Sequence, residues 1–277
     1  MNIFEAIAYG GVQGVAEFLP ISSSGHLALA QNLFGTSDGE DRFTFNILLH
    51  FGTLVAVFIM YRKDVWELIK SVFSLVARPF NGKLKAPLTK GEKLFLMLCI
   101  ASALLVPAAL ISDKVEALST ASWAIGVLLL LNGLMLFVSD KLSRGSESLE
   151  NSKLSRALYI GLFQLAGLLP GISRSGSTIT GGLFNNLDRS EALRFSFLMS
   201  IPAILGANLL EIVKLKGNLF GDIGTVPCIA GMLAAALSGI LAIKVLNYFA
   251  KKKSFAPFAV YCILVGSAAI VWDVFAA

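Results

Sequence analysis

The sequence predicts an all-α polytopic membrane protein made of two inverted-topology repeats, each with one re-entrant helix hairpin and three transmembrane helices, six spans in total. Three observations carry this: an apolar composition, six uninterrupted stretches of spanning length, and two broken stretches that superimpose. Of 277 residues, 56% are hydrophobic and 15% charged, against roughly 45–50% and 25% in soluble domains. The mean hydropathy of +0.75 belongs to the whole length rather than to one anchor, which excludes a soluble protein. Residues 1–277 read as a single integral membrane domain, with residues 1–150 as the first repeat and 151–277 as the second.

A span needs about 20 apolar residues. In chain order, Ile3 to Leu33 is apolar but cut by Pro20 and the run Ser22-Ser23-Ser24-Gly25. Its halves of about a dozen residues are too short to cross and suit a re-entrant hairpin. Phe43 to Tyr61, Leu94 to Ile111 and Ala121 to Ser139 then qualify as spans. Leu158 to Leu187 is cut again, by Pro170-Gly171 and Ser173-Arg174-Ser175-Gly176, and reads as a second hairpin. Phe195 to Val213, Thr225 to Leu246 and Phe255 to Phe275 complete the six.

With both hairpins turning back, the 23 Lys and Arg separate. Eighteen fall on one side: Arg62, Lys63, Lys70, Arg78, Lys83, Lys85, Lys90, Lys93, Lys141, Arg144, Lys153, Arg156, Arg189, Arg194, Lys244 and Lys251 to Lys253. Arg42, Lys114, Lys214 and Lys216 fall on the other, and Arg174 sits at a hairpin tip. The crowded side is therefore predicted cytoplasmic, with both termini outside, and the net charge of +5 needs no nucleic acid to explain it. Met1 to Glu5 carries no basic n-region or cleavage site, so no secretory signal is expected. Cys99, Cys228 and Cys262 lie in apolar runs without metal or redox spacing and read as small buried hydrophobes. Asn132 and Asn208, inside true spans, read as interhelical hydrogen-bonding groups.

A shift of 151 residues lays the first break on the second without a gap. Gly10, Gln13, Ile21, Ser22, Ser24 and Gly25 meet Gly161, Gln164, Ile172, Ser173, Ser175 and Gly176. An odd number of crossings in each half inverts the second copy, and matching broken helices then mark a central site.

The polar residues of the breaks carry the chemistry. Gln13 and Glu17 are four apart on one helix face and can reach a single point. A carboxylate at membrane depth calls for a partner, either a cation or Arg174. Ser22-Ser23-Ser24-Gly25-His26 opens a helix whose free amides and capping serines suit phosphate, and it offers a hydroxyl nucleophile and a group that titrates near neutrality. His50 lacks such company and reads as packing. At the second tip Ser173-Arg174-Ser175-Gly176-Ser177-Thr178 repeats the serine-rich helix start with an arginine. A buried arginine costs roughly 2.5–3.5 kcal/mol on insertion scales, and its planar fork fits phosphate oxygens. A structural ion pair from Arg174 to Glu17 is the other reading of that pair, and both can hold in turn. The expected ligand is anionic and phosphorylated, held by Ser22, Ser24, Gly25, Ser173, Ser175, Gly176 and Thr178 around Ser23, His26, Glu17 and Arg174, a set suited to phosphoryl transfer.

These residues resemble the bacterial undecaprenyl-diphosphate phosphatases, also called bacitracin-resistance proteins. The first motif of that family, Glu or Gln, three residues, then Glu, is similar to Gln13 and Glu17, followed by Phe18-Leu19-Pro20 and the Ser-Ser-x-Gly-His block ending at His26. The second, Pro-Gly-x-Ser-Arg-Ser-x-x-Thr, is similar to Pro170 through Thr178 without departure. The resemblance implies hydrolysis of undecaprenyl diphosphate to the monophosphate, with Mg²⁺ or another divalent cation. It implies Ser23 as nucleophile, His26 as proton donor or acceptor, and Gln13 with Glu17 as the metal-binding pair. Arg174, helped by Ser173 and Thr178, would stabilise phosphate charge. Gln13 stands where many members have Glu, and an amide brings an oxygen but no charge.

The residues alone leave open whether Ser23 attacks directly or positions a water. They also leave a transporter or flippase of polyprenyl phosphates as the rival, since inverted repeats with broken helices serve alternating access. A carrier would not need a nucleophile beside a metal-binding carboxylate. The expected setting is the bacterial inner membrane, with a polyprenyl diphosphate and membrane lipid as partners, a homodimer left open and no nucleic acid.

Overall fold

The computed structural model describes residues 1–34, 40–83, 85–108, 115, 117–143, 145–214, 223–251 and 254–276. Among them the chain is helical: α1 Ile3–Phe18, α2 Ser23–Phe34, α3 Glu40–Met60, α4 Arg62–Ala77, α5 Lys90–Ala103, the short α6 Leu105–Ala108, α7 Ser122–Leu142, α8 Leu154–Ala166, α9 Arg174–Phe184, α10 Arg189–Lys214, α11 Thr225–Lys251 and α12 Ala256–Ala276. Among the described residues five helical segments are long and apolar enough to cross a membrane, and a sixth if α3 with α4 counts as one bent span. The protein is a polytopic membrane protein. The end of the Leu94 to Ile111 span, and Lys114, Arg144, Lys216, Lys252 and Lys253 of the charge division, lie outside the described residues, as does the side chain of Arg42.

Both predicted interruptions are helix breaks: α1 ends at Phe18 before α2 starts at Ser23, and α8 ends at Ala166 before α9 starts at Arg174. Pro20 offers no amide hydrogen and drives the residue before it out of the helical region. Leu19 accordingly turns extended, at ψ 143°, and ends α1. The break between α5 and α6 at Leu104 lies three residues before Pro107, whose ring crowds the carbonyl four positions back. One element has no counterpart in the span assignment. The amphipathic α4 follows α3 after a bend of 92°, in the stretch that the span assignment leaves between Tyr61 and Leu94.

Packing brings the breaks together. Gly10 and Gly14 let α1 lie directly on α11: a Cβ at Gly10 would stand 2.1 Å from the Gly231 carbonyl oxygen and one at Gly14 2.2 Å from that of Ala235. Small residues at helix crossings are how helices approach closely in lipid, where no hydrophobic drive separates protein from solvent. Likewise α8 packs on α5, and α7 and α12 close the bundle against each other. Phe18, the last residue of α1, is buried edge-on against Phe197 of α10 at 5.6 Å.

One end of the bundle is laced with ion pairs. Arg194 holds Asp64, Arg189 holds Asp140, Arg156 holds Glu147 at 2.8 Å and Lys90 holds Glu150 at 2.5 Å. All of these cations belong to the group of eighteen assigned to one side. The structure thus collects at one end the starts of α4, α5, α8 and α10 and the end of α7. Asn208 behaves as expected within a span, donating to the Ile47 carbonyl across helices at 3.4 Å.

Candidate active site

At the joint between the two breaks, Ser22 adopts φ +71°, a left-handed conformation uncommon for a residue with a side chain. Its buried hydroxyl oxygen accepts the amide of Gly25 at 3.3 Å, as a cap of α2. The same oxygen accepts the amide of Gly171 at 3.1 Å, from the other break. Gly171 has φ +111°, and a Cβ on Gly25 would come within 2.8 Å of its Cα. The two tips therefore meet backbone to backbone, which only glycine permits.

Asn132 of α7 fastens the joint. Its amide nitrogen donates to the Pro20 carbonyl at 2.9 Å, and its oxygen accepts the Ser173 amide at 3.0 Å. The interhelical bond expected of Asn132 thus reaches both tips at once. Ser175 donates to the Leu19 carbonyl at 3.4 Å. The Ser173 hydroxyl oxygen caps α9 by accepting the Gly176 amide at 3.2 Å. Thr178 shares a 2.6 Å bond with Ser196 and donates to the Arg174 carbonyl. Ser22, Gly25, Ser173, Ser175, Gly176 and Thr178 are all buried in this joint, whereas Ser24 is exposed.

Above the joint stands one carboxylate. The Arg174 guanidinium donates to Glu17 Oε1 at 2.5 Å. Glu17 Oε2 accepts from Gln13 Nε2 at 3.1 Å and from the Ser23 hydroxyl at 3.2 Å. Ser23 and Arg174 are equivalent under the 151-residue shift, and each is the first residue of its helix. Both half-helices thus direct their N-terminal side chains at the same carboxylate, and the first-turn amides of α2 and α9 have no partner within their own helices. The Glu17 side chain is only 8% exposed, so these bonds are little weakened by solvent.

His50 requires a correction. Instead of packing in the span, it sits with Nδ1 3.8 Å from Glu17 Oε2 and 3.4 Å from Gln13 Nε2, because α3 packs alongside α1. The signal available in the sequence was the one used for Glu17, a polar group at membrane depth. His26 stays apart from this cluster. Its Nδ1 is 2.7 Å from the Ser22 carbonyl, and its Nε2 is 2.8 Å from the hydroxyl of Tyr261, on which the ring stacks. A carbonyl can only accept, so Nδ1 carries the hydrogen, and in the neutral ring Nε2 accepts from Tyr261.

No group of three or more His, Cys, Asp or Glu that could hold a metal ion occurs among the described residues. The donor set is one carboxylate, Glu17, with Gln13, which turns its amide nitrogen rather than its oxygen toward it. That set does not make a closed protein cage. It does fit a hard cation of the Mg²⁺ kind, which is held through one or two carboxylates plus substrate phosphate oxygens.

Comparisons with known proteins show relatives of the chain along nearly its whole length. The family model described as "Bacitracin resistance protein BacA" matches residues 6–268. The "Undecaprenyl-diphosphatase" of Alkaliphilus metalliredigens is 39% identical, over 99% of either chain. That of Desulfosudis oleivorans is 40% identical over 96% of this chain and 97% of its own, and that of Halothermothrix orenii 37% identical over 98% of each.

Proposed function

The chain belongs to the bacitracin resistance protein BacA family, and from that premise we infer that it hydrolyses undecaprenyl diphosphate to undecaprenyl phosphate and inorganic phosphate. It is a membrane hydrolase acting on a phosphoric anhydride, and the product returns a lipid carrier to cell-wall synthesis. The observation that carries the roles of the residues is the convergence of Ser23 and Arg174 on Glu17.

A serine whose hydroxyl already donates to a carboxylate can lose its proton there as it attacks. Ser23 Oγ bonds to the terminal phosphorus while Glu17 takes its proton. The bridging P–O bond breaks, and undecaprenyl phosphate leaves with the electron pair. Water then attacks the phosphoserine, the P–Oγ bond breaks and phosphate leaves with one of the water's hydrogens; Glu17 returns its proton to Ser23 Oγ, and the water's second proton is passed on. Arg174 neutralises the charge on the terminal oxygens through its planar fork, and the first-turn amides of α2 and α9 add fixed dipoles. The Arg174–Glu17 contact is then the resting arrangement, and it opens when a diphosphate offers the guanidinium its oxygens. His26, which stands apart from Glu17, takes the water's second proton at Nε2 by way of the Tyr261 hydroxyl that donates to it. A divalent cation such as Mg²⁺ would be held by Glu17 with Gln13 beside it and would supply charge neutralisation on the diphosphate.

The two-repeat architecture, residues 1–150 and 151–277, is part of the same reading, with six spans, both termini outside and an inner-membrane setting. What supports it is reciprocal packing: α1 lies on α11 as α8 lies on α5, and α3 on α11 as α10 on α5. Equivalent residues also repeat their bonds. Ser22 and Ser173 cap their helices alike, and His26 and Ser177 each reach the carbonyl four residues back.

Phosphate release from a polyprenyl diphosphate by detergent-purified protein, with and without a chelator, tests the reading. Release that stops with chelator and resumes with Mg²⁺ is expected. Absence of release under both conditions would sink it.

A further inference from the structure

The elbow between α3 and α4 has the make-up of a second, separate binding site. Because α4 turns 92° from α3, it runs across the direction of a span rather than along it. Trp66, Ile69, Phe73 and Val76 are exposed on α4 at three- and four-residue spacing, which makes one apolar stripe. Leu68 and Ser71 face the protein, and Lys63 and Lys70 lie on the remaining face. A helix divided in this way lies in the plane of the bilayer surface with its stripe among the acyl chains.

At the elbow itself is an open cavity of about 360 Å³ lined by Ile59, Met60, Tyr61, Arg62, Lys63 and Asp64. The Asp64 carboxylate is already taken by Arg194, which donates to it at 2.9 and 2.5 Å. Arg62 and Lys63 are therefore the uncompensated charges of the wall. Neither of them, nor Lys70 further along α4, has a carboxylate partner among the described residues.

We propose that this elbow binds the headgroup of an anionic phospholipid, with its phosphate between Arg62 and Lys63. The glycerol and first acyl carbons then lie against Ile59, Met60 and the α4 stripe. A cationic wall beside an apolar one matches a molecule that is anionic at one end and apolar at the other, and clustered Lys and Arg at a membrane surface favour anionic lipid. The site shares no residue with the joint of the two breaks.

Trp66 serves as the probe. In a Trp123→Phe/Trp272→Phe background it is the one tryptophan left of three, and its fluorescence is quenched by brominated lipid. In vesicles, brominated phosphatidylglycerol should quench it at a several-fold lower mole fraction than brominated phosphatidylcholine. That preference should shrink as salt rises and should survive millimolar inorganic phosphate. Arg62→Gln/Lys63→Gln should bring the two lipids to nearly equal quenching, with phosphatidylcholine quenching unchanged. Phosphate release by the same variant in detergent should match the parent, which separates this outcome from failure of the active-site reading. Equal quenching by the two lipids in the parent would overturn the proposal. So would a preference insensitive to salt, one retained by the double variant, or one abolished by inorganic phosphate alone. The first two readings need only the parent protein, so they decide the matter even if the double variant fails to fold.

Discussion

Glu17 is the residue through which the others act, since Gln13, Ser23, His50 and Arg174 meet at its two oxygens. Glu17→Gln should abolish both turnover and its dependence on Mg²⁺, because hard cations prefer charged oxygen donors. Phosphate release against Mg²⁺ concentration checks this, and an active variant with an unchanged curve would leave Glu17 only as the partner of Arg174. The neighbouring serines should separate cleanly. Ser23→Ala should end turnover with little change in thermal midpoint. Ser22→Ala should leave two buried amides without an acceptor, costing about 1–3 kcal/mol, while retaining part of the activity. A matched pair of activity and melting measurements distinguishes them, and equal mild losses would return both serines to capping. Tyr261 is a third case. Tyr261→Phe keeps the ring stack but removes the donor to His26, so kcat should fall several-fold at unchanged KM. In a His26→Ala background the same change should have no further effect, and additive losses would separate the two residues. The Gln13 and Glu17 pair could be read from a four-residue spacing. Tyr261 could not, because it reaches His26 across 235 positions and nothing near either residue announces the other.

At the scale of elements, the joint depends on two helix breaks that hold each other open. Each tip leaves backbone groups that its own helix cannot satisfy, and the partner tip, Asn132 and Ser22 satisfy them. Gly171→Ala should disturb this at two points. It places a side chain at φ +111° and a Cβ within 2.7 Å of Leu128, a strain of order 1–3 kcal/mol. Thermal stability and phosphate release should fall together, and a variant with the parent's melting point would show that the tips do not need this contact. The breaks were legible from Pro20, Pro170 and the serine runs, since proline and capping residues act locally. The helix α4 was not, because a search for spanning length passes over a segment whose polar and apolar faces alternate and whose axis leaves the span direction.

For the whole molecule, the proposed orientation rests on the separation of charge. Lys85→Cys, in a background lacking Cys99, Cys228 and Cys262, should stay unlabelled by a membrane-impermeant thiol reagent in sealed cells and become labelled after permeabilisation. Labelling in intact cells would reverse the orientation. The ion pairs that collect Asp64, Asp140, Glu147 and Glu150 with their cations at one end join segments that the same division puts on one side.

Composition, span length, the two breaks and the identity of the polar residues in them were determined by the sequence, because each follows from local chemistry: apolar runs partition into lipid, proline stops a helix, and serine caps one. Which of those polar residues meet was decided by tertiary structure. Glycines at Gly10, Gly14, Gly25 and Gly171 set how closely the backbones approach, and that approach brings Arg174 to Glu17 from 157 positions away. It also carries His50 to the same carboxylate and His26 away from it. A larger side chain at Gly10 or Gly14 would move the site without altering either motif, which is why the motifs name the participants but not their arrangement.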